Sequence, residues 1–139
     1  MNYTVTKMEV ESMKITFDYS GFADIAATSK TMDLPTPPNI YLLDVFVRVN
    51  TAFAGTVTVP QAKVGFSNFD DMLVALQSIA TAGQLKSGRS HQVFCQGMAS
   101  PVAKNQAVRL TIQNTTGNLS AYTAGELEVV LVYVKHPRA

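Results

Sequence analysis

The stretch Ala124-Gly125-Glu126-Leu127-Glu128-Val129-Val130-Leu131-Val132-Tyr133-Val134 decides the fold. Glu126, Glu128, Val130, Val132 and Val134 fall on one side, and Leu127, Val129, Leu131 and Tyr133 on the other. A period of two is that of a β-strand, whose successive side chains leave on opposite faces. Beyond Glu128 both faces are apolar, which places the strand in the middle of a sheet, away from water on either side.

The same period runs outward through the chain. Met13, Ile15, Phe17 and Tyr19 alternate with Lys14, Thr16 and Asp18, and an earlier strand is expected from Tyr3, Val5 and residues 8–10. The longest strand places Tyr41, Leu43, Val45, Val47 and Val49 on one face, with Leu42, Asp44, Phe46, Arg48 and Asn50 opposite. Shorter strands are expected over 56–59, 64–66, 91–96 and 107–113, with residues 23–32 alternating weakly. Pro35, Pro37 and Pro38 require an extended connection, because proline fixes φ and cannot donate. Residues 68–81 break the period: Phe69, Met72, Leu73, Leu76 and Ile79 recur at three and four residues behind Asp70 and Asp71, and Gly83 follows. That spacing predicts one amphipathic helix lying over an end or flank of the sheets. About eight strands and one short helix give an all-β chain, a jelly-roll-like antiparallel sandwich. Residues 1–12 form a strand or arm suited to an interface, and residues 13–139 form a single domain.

Composition narrows the function. Charged residues make up 15% of the 139 residues, against roughly 25% in an average soluble protein, and the net charge is +1. No basic cluster exists to neutralise phosphates, so no nucleic-acid partner is expected. The longest strongly apolar run, Val129 to Val134, is far shorter than a helical bilayer crossing, and no membrane partner is expected. Residues 1–7 show no basic segment leading into an apolar one, hence no secretory signal. The Asn-x-Ser/Thr matches at Asn2, Asn114 and Asn118 are then read as chance, and the single cysteine, Cys95, has no internal partner.

Catalytic constellations are missing from the pattern. His91 and Cys95 share a strand face but stand ~13 Å apart along it, too far for a base to activate a thiol. Asp70 and Asp71 read as helix-start residues, and Glu126 and Glu128 as the solvated start of a strand. Gly83 and Gly88 flank a segment without a phosphate-binding pattern. Two histidines, one cysteine and scattered carboxylates do not assemble a metal site. No catalytic, cofactor-binding or metal-binding residue is assigned, and the chain reads as a non-enzyme with no cofactor. Core or interface is the common fate of such aromatics, and Tyr122, beside Ser120 and Thr123, is the one candidate for an exposed platform on which a sugar could stack.

Low charge, abundant small polar residues and six methionines suit a protein whose surface is covered by neighbours. Met8, Met13, Met32 and Met98 fall outside the clearest core strands. The basic tail Lys135-His136-Pro137-Arg138-Ala139 suits an acidic neighbour.

Residues 41–53, followed by Gly55-Thr56-Val57-Thr58-Val59, by Val64-Gly65 and by the closing segment Ala124 to Tyr133, are similar to a pattern in small β-sandwich virion proteins of tailed bacteriophages. The resemblance covers residues 40–135 and leaves 1–39 unmatched. It implies a non-enzymatic assembly protein of the virion, made in the bacterial host cytoplasm: a capsid decoration or cement protein, or a neck, tail or fibre-base component. Its implied partners are the major capsid protein or other virion proteins and further copies of itself, as a trimer or larger ring, with the N-terminal strand exchanged between chains. The alternative function is a carbohydrate- or host-receptor-binding module acting through the loop 114–123.

Overall fold

A computed structural model describes residues 2–37, 40–66, 70–86 and 107–135. Among these residues the chain forms eight strands: β1 (Val10–Asp18), β2 (Ser29–Asp33), β3 (Ile40–Gly55), β4 (Gln61–Gly65), β5 (Val74–Ser78), β6 (Gly83–Gln84), β7 (Arg109–Gln113) and β8 (Tyr122–Lys135). They make two four-stranded antiparallel sheets, ordered β1-β8-β3-β6 and β2-β7-β4-β5. The pairings are nested: β1 lies against β8, β2 against β7, β3 against β6 and β4 against β5. Two further pairings, β3 with β8 and β4 with β7, join the folded ribbon to itself.

β8 is central in the first sheet, as its two apolar faces require. Its inward residues set three rows across β1, β8 and β3: Met13–Leu131–Val45, Ile15–Val129–Val47 and Phe17–Leu127–Val49. The second sheet contributes Ala62, Val64, Leu110 and Ile112, all fully buried, to the same continuous core, so the sheets form a β-sandwich. Residues paired across strands share a face, so each row buries three apolar side chains together.

The alternation along β3 changes phase. Ile40 and Leu42 are buried, and so are Val45, Val47 and Val49. Leu42 is paired with Tyr133 and Asp44 with Val132, leaving Leu43 as the extra residue of a β-bulge. An uninterrupted period of two over Tyr41 to Val49 therefore assigns Tyr41 and Leu43 to the wrong side.

Three expected elements are corrected. Residues 70–81 contain no helix; Val74–Ser78 is strand β5, at the edge of the second sheet. Spacing at three and four residues fits Leu73, Leu76 and Ile79, but β4 offers a sheet edge whose backbone groups need partners. The Leu73 amide donates to the Val64 carbonyl and the Ile79 amide to the Pro60 carbonyl, fixing the extended chain at both ends. Leu73, Val74 and Ile79 are buried while Leu76 is exposed, which is not the stripe of an amphipathic helix. Residues 3–8 form no strand; the single strand Val10–Asp18 begins after them, so a boundary after residue 12 falls inside β1. Residues 56–59 contribute only a bridge from Thr58 to Thr116. The expected strand over 91–96, Met98 and the tail beyond Lys135 lie outside the described residues.

Val59 carries a φ of +50°, a left-handed conformation that a β-branched residue rarely adopts. It is half exposed beside buried Pro60, so its side chain contributes little packing in return. Val59→Asn is expected to raise unfolding stability by about 1 kcal/mol, because asparagine tolerates this region far better. Urea titration of the two proteins checks it; equal or lower stability would show that the valine side chain is needed where it stands.

Candidate assembly surface

The residues with chemical potential are dispersed. His91, Cys95 and Gly88 lie outside the described residues. Asp70 stands 2.8 Å from Lys63 in a surface ion pair, and Asp71 is exposed on the turn into β5. Glu126 accepts from the Asn50 amide at 3.1 Å, and Glu128 lies 3.8 Å from Lys14. Both carboxylates thus face outward on β8 and brace neighbouring strands. Gly83 belongs to β6. Among the described residues no group of three or more metal-ligating side chains converges, and no helix is long and apolar enough to cross a membrane. Every buried side-chain polar atom among them has a hydrogen-bond partner.

Tyr122 is not an exposed platform. It is buried, its ring packs edge-on against Phe53 at 5.1 Å and 71°, and its hydroxyl donates to Asn114 Oδ1. Asn114, also buried, uses its amide to donate to the Gly117 carbonyl at 3.0 Å, which ties the β7–β8 connection to the end of the sandwich. Burial raises the Tyr122 phenol to about 12. Serine and threonine around it in sequence gave a polar reading, but Tyr122 opens β8 with its side chain turned inward. Asn114 and Tyr122 are thereby committed to the fold.

Several apolar side chains are left exposed, most of them near the N-terminus. Residues 2–10 are all exposed, including Tyr3 at 80%, Val5 at 81%, Met8 at 42% and Val10 at 64%. No hydrogen bond among the described residues ties 2–9 to the sandwich. The arm runs directly into β1, an edge strand among the described residues. The outward face of the same sheet is crossed by the rows Val10–Val134–Tyr41, Ser12–Val132–Asp44 and Lys14–Val130–Phe46. Phe46 is 41% exposed, Tyr41, Val130 and Val132 are half-buried, and Val134 is buried. Met13 and Met32, in contrast, pack against the core.

No protein-family model and no curated protein matches this chain. Among solved structures it is similar to a chain of the cyanophage Pam1 capsid asymmetric unit, with a TM-score of 0.59 and 14% sequence identity. The match covers 98% of this chain and 91% of that one. At that identity the likeness is one of fold, and it extends through nearly the whole of both chains. Phe46 lies opposite Val45 and Val47, as the alternation predicts; Tyr41 joins it on the outward side because the bulge at Leu43 puts Ile40 and Leu42 on the buried side instead. The signal was present in Ile40-Tyr41-Leu42-Leu43-Asp44-Val45, where the alternating apolar positions change parity.

Proposed function

We propose that this chain is a non-enzymatic structural protein of a phage virion, and specifically a capsid decoration subunit that strengthens the head through contacts with the major capsid protein and with its own copies. The fold likeness along almost the full length of both chains carries the reading, since it leaves little of this protein outside the shared architecture. The nested pairing supports a jelly-roll connectivity. One long antiparallel ribbon, β1 to β4 running against β5 to β8, is rolled so that its halves alternate between two sheets. Such a roll presents sheet faces and an edge strand to its surroundings, and the described residues between the sheets form one continuous apolar core.

The exposed apolar residues lie where neighbours would cover them, on the arm and on the outward face of the β1-β8-β3-β6 sheet. Burying such area at a repeated site multiplies a modest contact over many equivalent positions. The burial of Tyr122 removes the residue that favoured sugar binding. The test is the composition of purified virions. A copy number comparable with the major capsid protein, and heads that lose resistance to heat when this protein is absent, is the expected result. A handful of copies would place it in the neck or tail instead, and its absence from virions would overturn the reading.

A further inference from the structure

We infer that the N-terminal arm of one copy pairs antiparallel alongside β1 of a second copy, about a two-fold axis at Glu9, merging two four-stranded sheets into one of eight strands. The inference rests on the assembly reading above and names the contact that one such surface makes.

Residues 2–9 extend roughly 26 Å past the sheet at about 3.3 Å per residue. No glycine or proline occurs in residues 2–12 to turn this segment back onto its own β1. The outer edge of β1 has no strand beside it among the described residues. An unpaired edge of nine residues without proline is a template for a further strand, and natural proteins usually blunt or cover such edges. A second copy brings both missing parts, because each supplies an arm and each supplies an edge.

The residue pattern fixes the register. Met13, Ile15 and Phe17 face the core, so a straight continuation of β1 places Tyr3, Val5, Lys7 and Glu9 on that same side. With Glu9 opposite its own copy, Tyr3 falls opposite Ile15, Val5 opposite Met13, and Lys7 opposite Glu11. On the other face Met8 meets Val10, Thr6 meets Ser12 and Thr4 meets Lys14. Apolar residues exposed in the single chain thus meet apolar partners, and each Lys7 meets an acidic Glu11. Sliding by two residues one way sets Glu9 against Glu11 and Lys7 against Met13; sliding the other way pairs Lys7 with Glu9 and Tyr3 with Met13 but sets Val5 against Glu11 and removes the Lys7–Glu11 pairs. Slipping by one residue would place core-side residues opposite solvent-side ones. The single like-charge contact in the favoured register is Glu9 against Glu9, with Lys7 on the neighbouring core-side position and Lys135 within 3.9 Å of Glu11.

Single-cysteine cross-linking tests the register, on the full chain in a Cys95→Ser background with copper-phenanthroline as oxidant. Glu9→Cys is expected to form a disulfide-linked dimer several-fold more efficiently than Lys7→Cys or Glu11→Cys. Lys7→Cys combined with Glu11→Cys should restore efficient linking. A Tyr3→Asp/Val5→Asp variant, whose substitutions lie outside the sandwich, should keep the β-sheet circular dichroism of the folded chain and shift from dimer to monomer in light scattering, losing the concentration dependence of its melting temperature. A monomer at all concentrations, or cross-linking at Lys7→Cys equal to that at Glu9→Cys, would overturn the inference. Because these measurements use free protein, they are separate from virion composition. Loss of the cross-link with virion incorporation intact removes arm exchange and leaves the structural role standing. An intact cross-link in a protein absent from virions does the opposite.

Discussion

Replacing Gly125 by alanine should cost about 3–5 kcal/mol of stability, enough to threaten folding at growth temperature. Gly125 is buried at the start of the apolar run of β8, with a φ of +145°, in a region open essentially to glycine alone. A Cβ built there would lie 2.4 Å from Phe53 Cδ2 and 2.5 Å from Phe53 Cγ. Real carbon atoms do not approach so closely, and the Phe53 ring also packs edge-on against Tyr122. The cost therefore has a backbone part and a collision part. Urea denaturation of Gly125→Ala in the wild-type and Phe53→Leu backgrounds separates them, since a smaller residue at 53 relieves only the collision. A coupling between the two sites of at least about 0.5 kcal/mol is expected. Strictly additive effects, or a Gly125→Ala protein of wild-type stability, would show that Phe53 does not lie over this glycine.

Tyr122→Ala should lower the melting temperature by roughly 10 °C, from a loss of about 3–5 kcal/mol. The substitution empties a buried site beside Phe53 and leaves Asn114 Oδ1 without its donor. Tyr122→Phe isolates the hydroxyl and should cost about 1–3 kcal/mol, the penalty of a buried polar atom left unpaired. Alkaline pH reports on the same group. The folded phenol lies at about 12 against an ordinary value of 10.0. Its contribution is complete below pH 10 and is lost as pH rises from there towards 12, because the unfolded chain ionises first. Calorimetry from pH 8 to 11.5 should show a decline that is shallower in Tyr122→Phe. A melting temperature unchanged by Tyr122→Ala would return this residue to the surface and revive a sugar-stacking role for it.

Much of the architecture was legible because one signal dominates it. A strand apolar on both faces, such as residues 129–134, fits best at the centre of a sheet, and β8 stands between β1 and β3. The alternation over 107–113 and 13–18 likewise names its own buried residues. Reading failed where two periods fit the same residues. Leu73, Leu76 and Ile79 satisfy a helix as well as a strand when only spacing is considered; what separates the two is the open edge of β4, a fact of tertiary structure. Tyr122 failed for a related reason, since its polar neighbours in sequence are not its neighbours in space. Its partners are Phe53 and Asn114, and no local pattern joins these three. The start of β1 at Val10 was not legible, because residues 8–13 carry no turn signal that would end one strand and begin another.

The nested pairing also sets an order of events during synthesis. β4 and β5 are close neighbours along the chain and can join early, whereas Val10 must wait for Val134. Each outer pairing closes a longer loop, and although the entropic penalty grows only slowly with length, such distant contacts make folding slow. β8 stands between β1 and β3, so a nascent chain that has already left the ribosome through β7 holds two long strands with apolar sides and nothing between them. For that interval the chain depends on chaperones or on speed to escape aggregation. β8 is the strand that fills the gap between β1 and β3, so the chain must be made through residue 135 before either long strand can cover its apolar side.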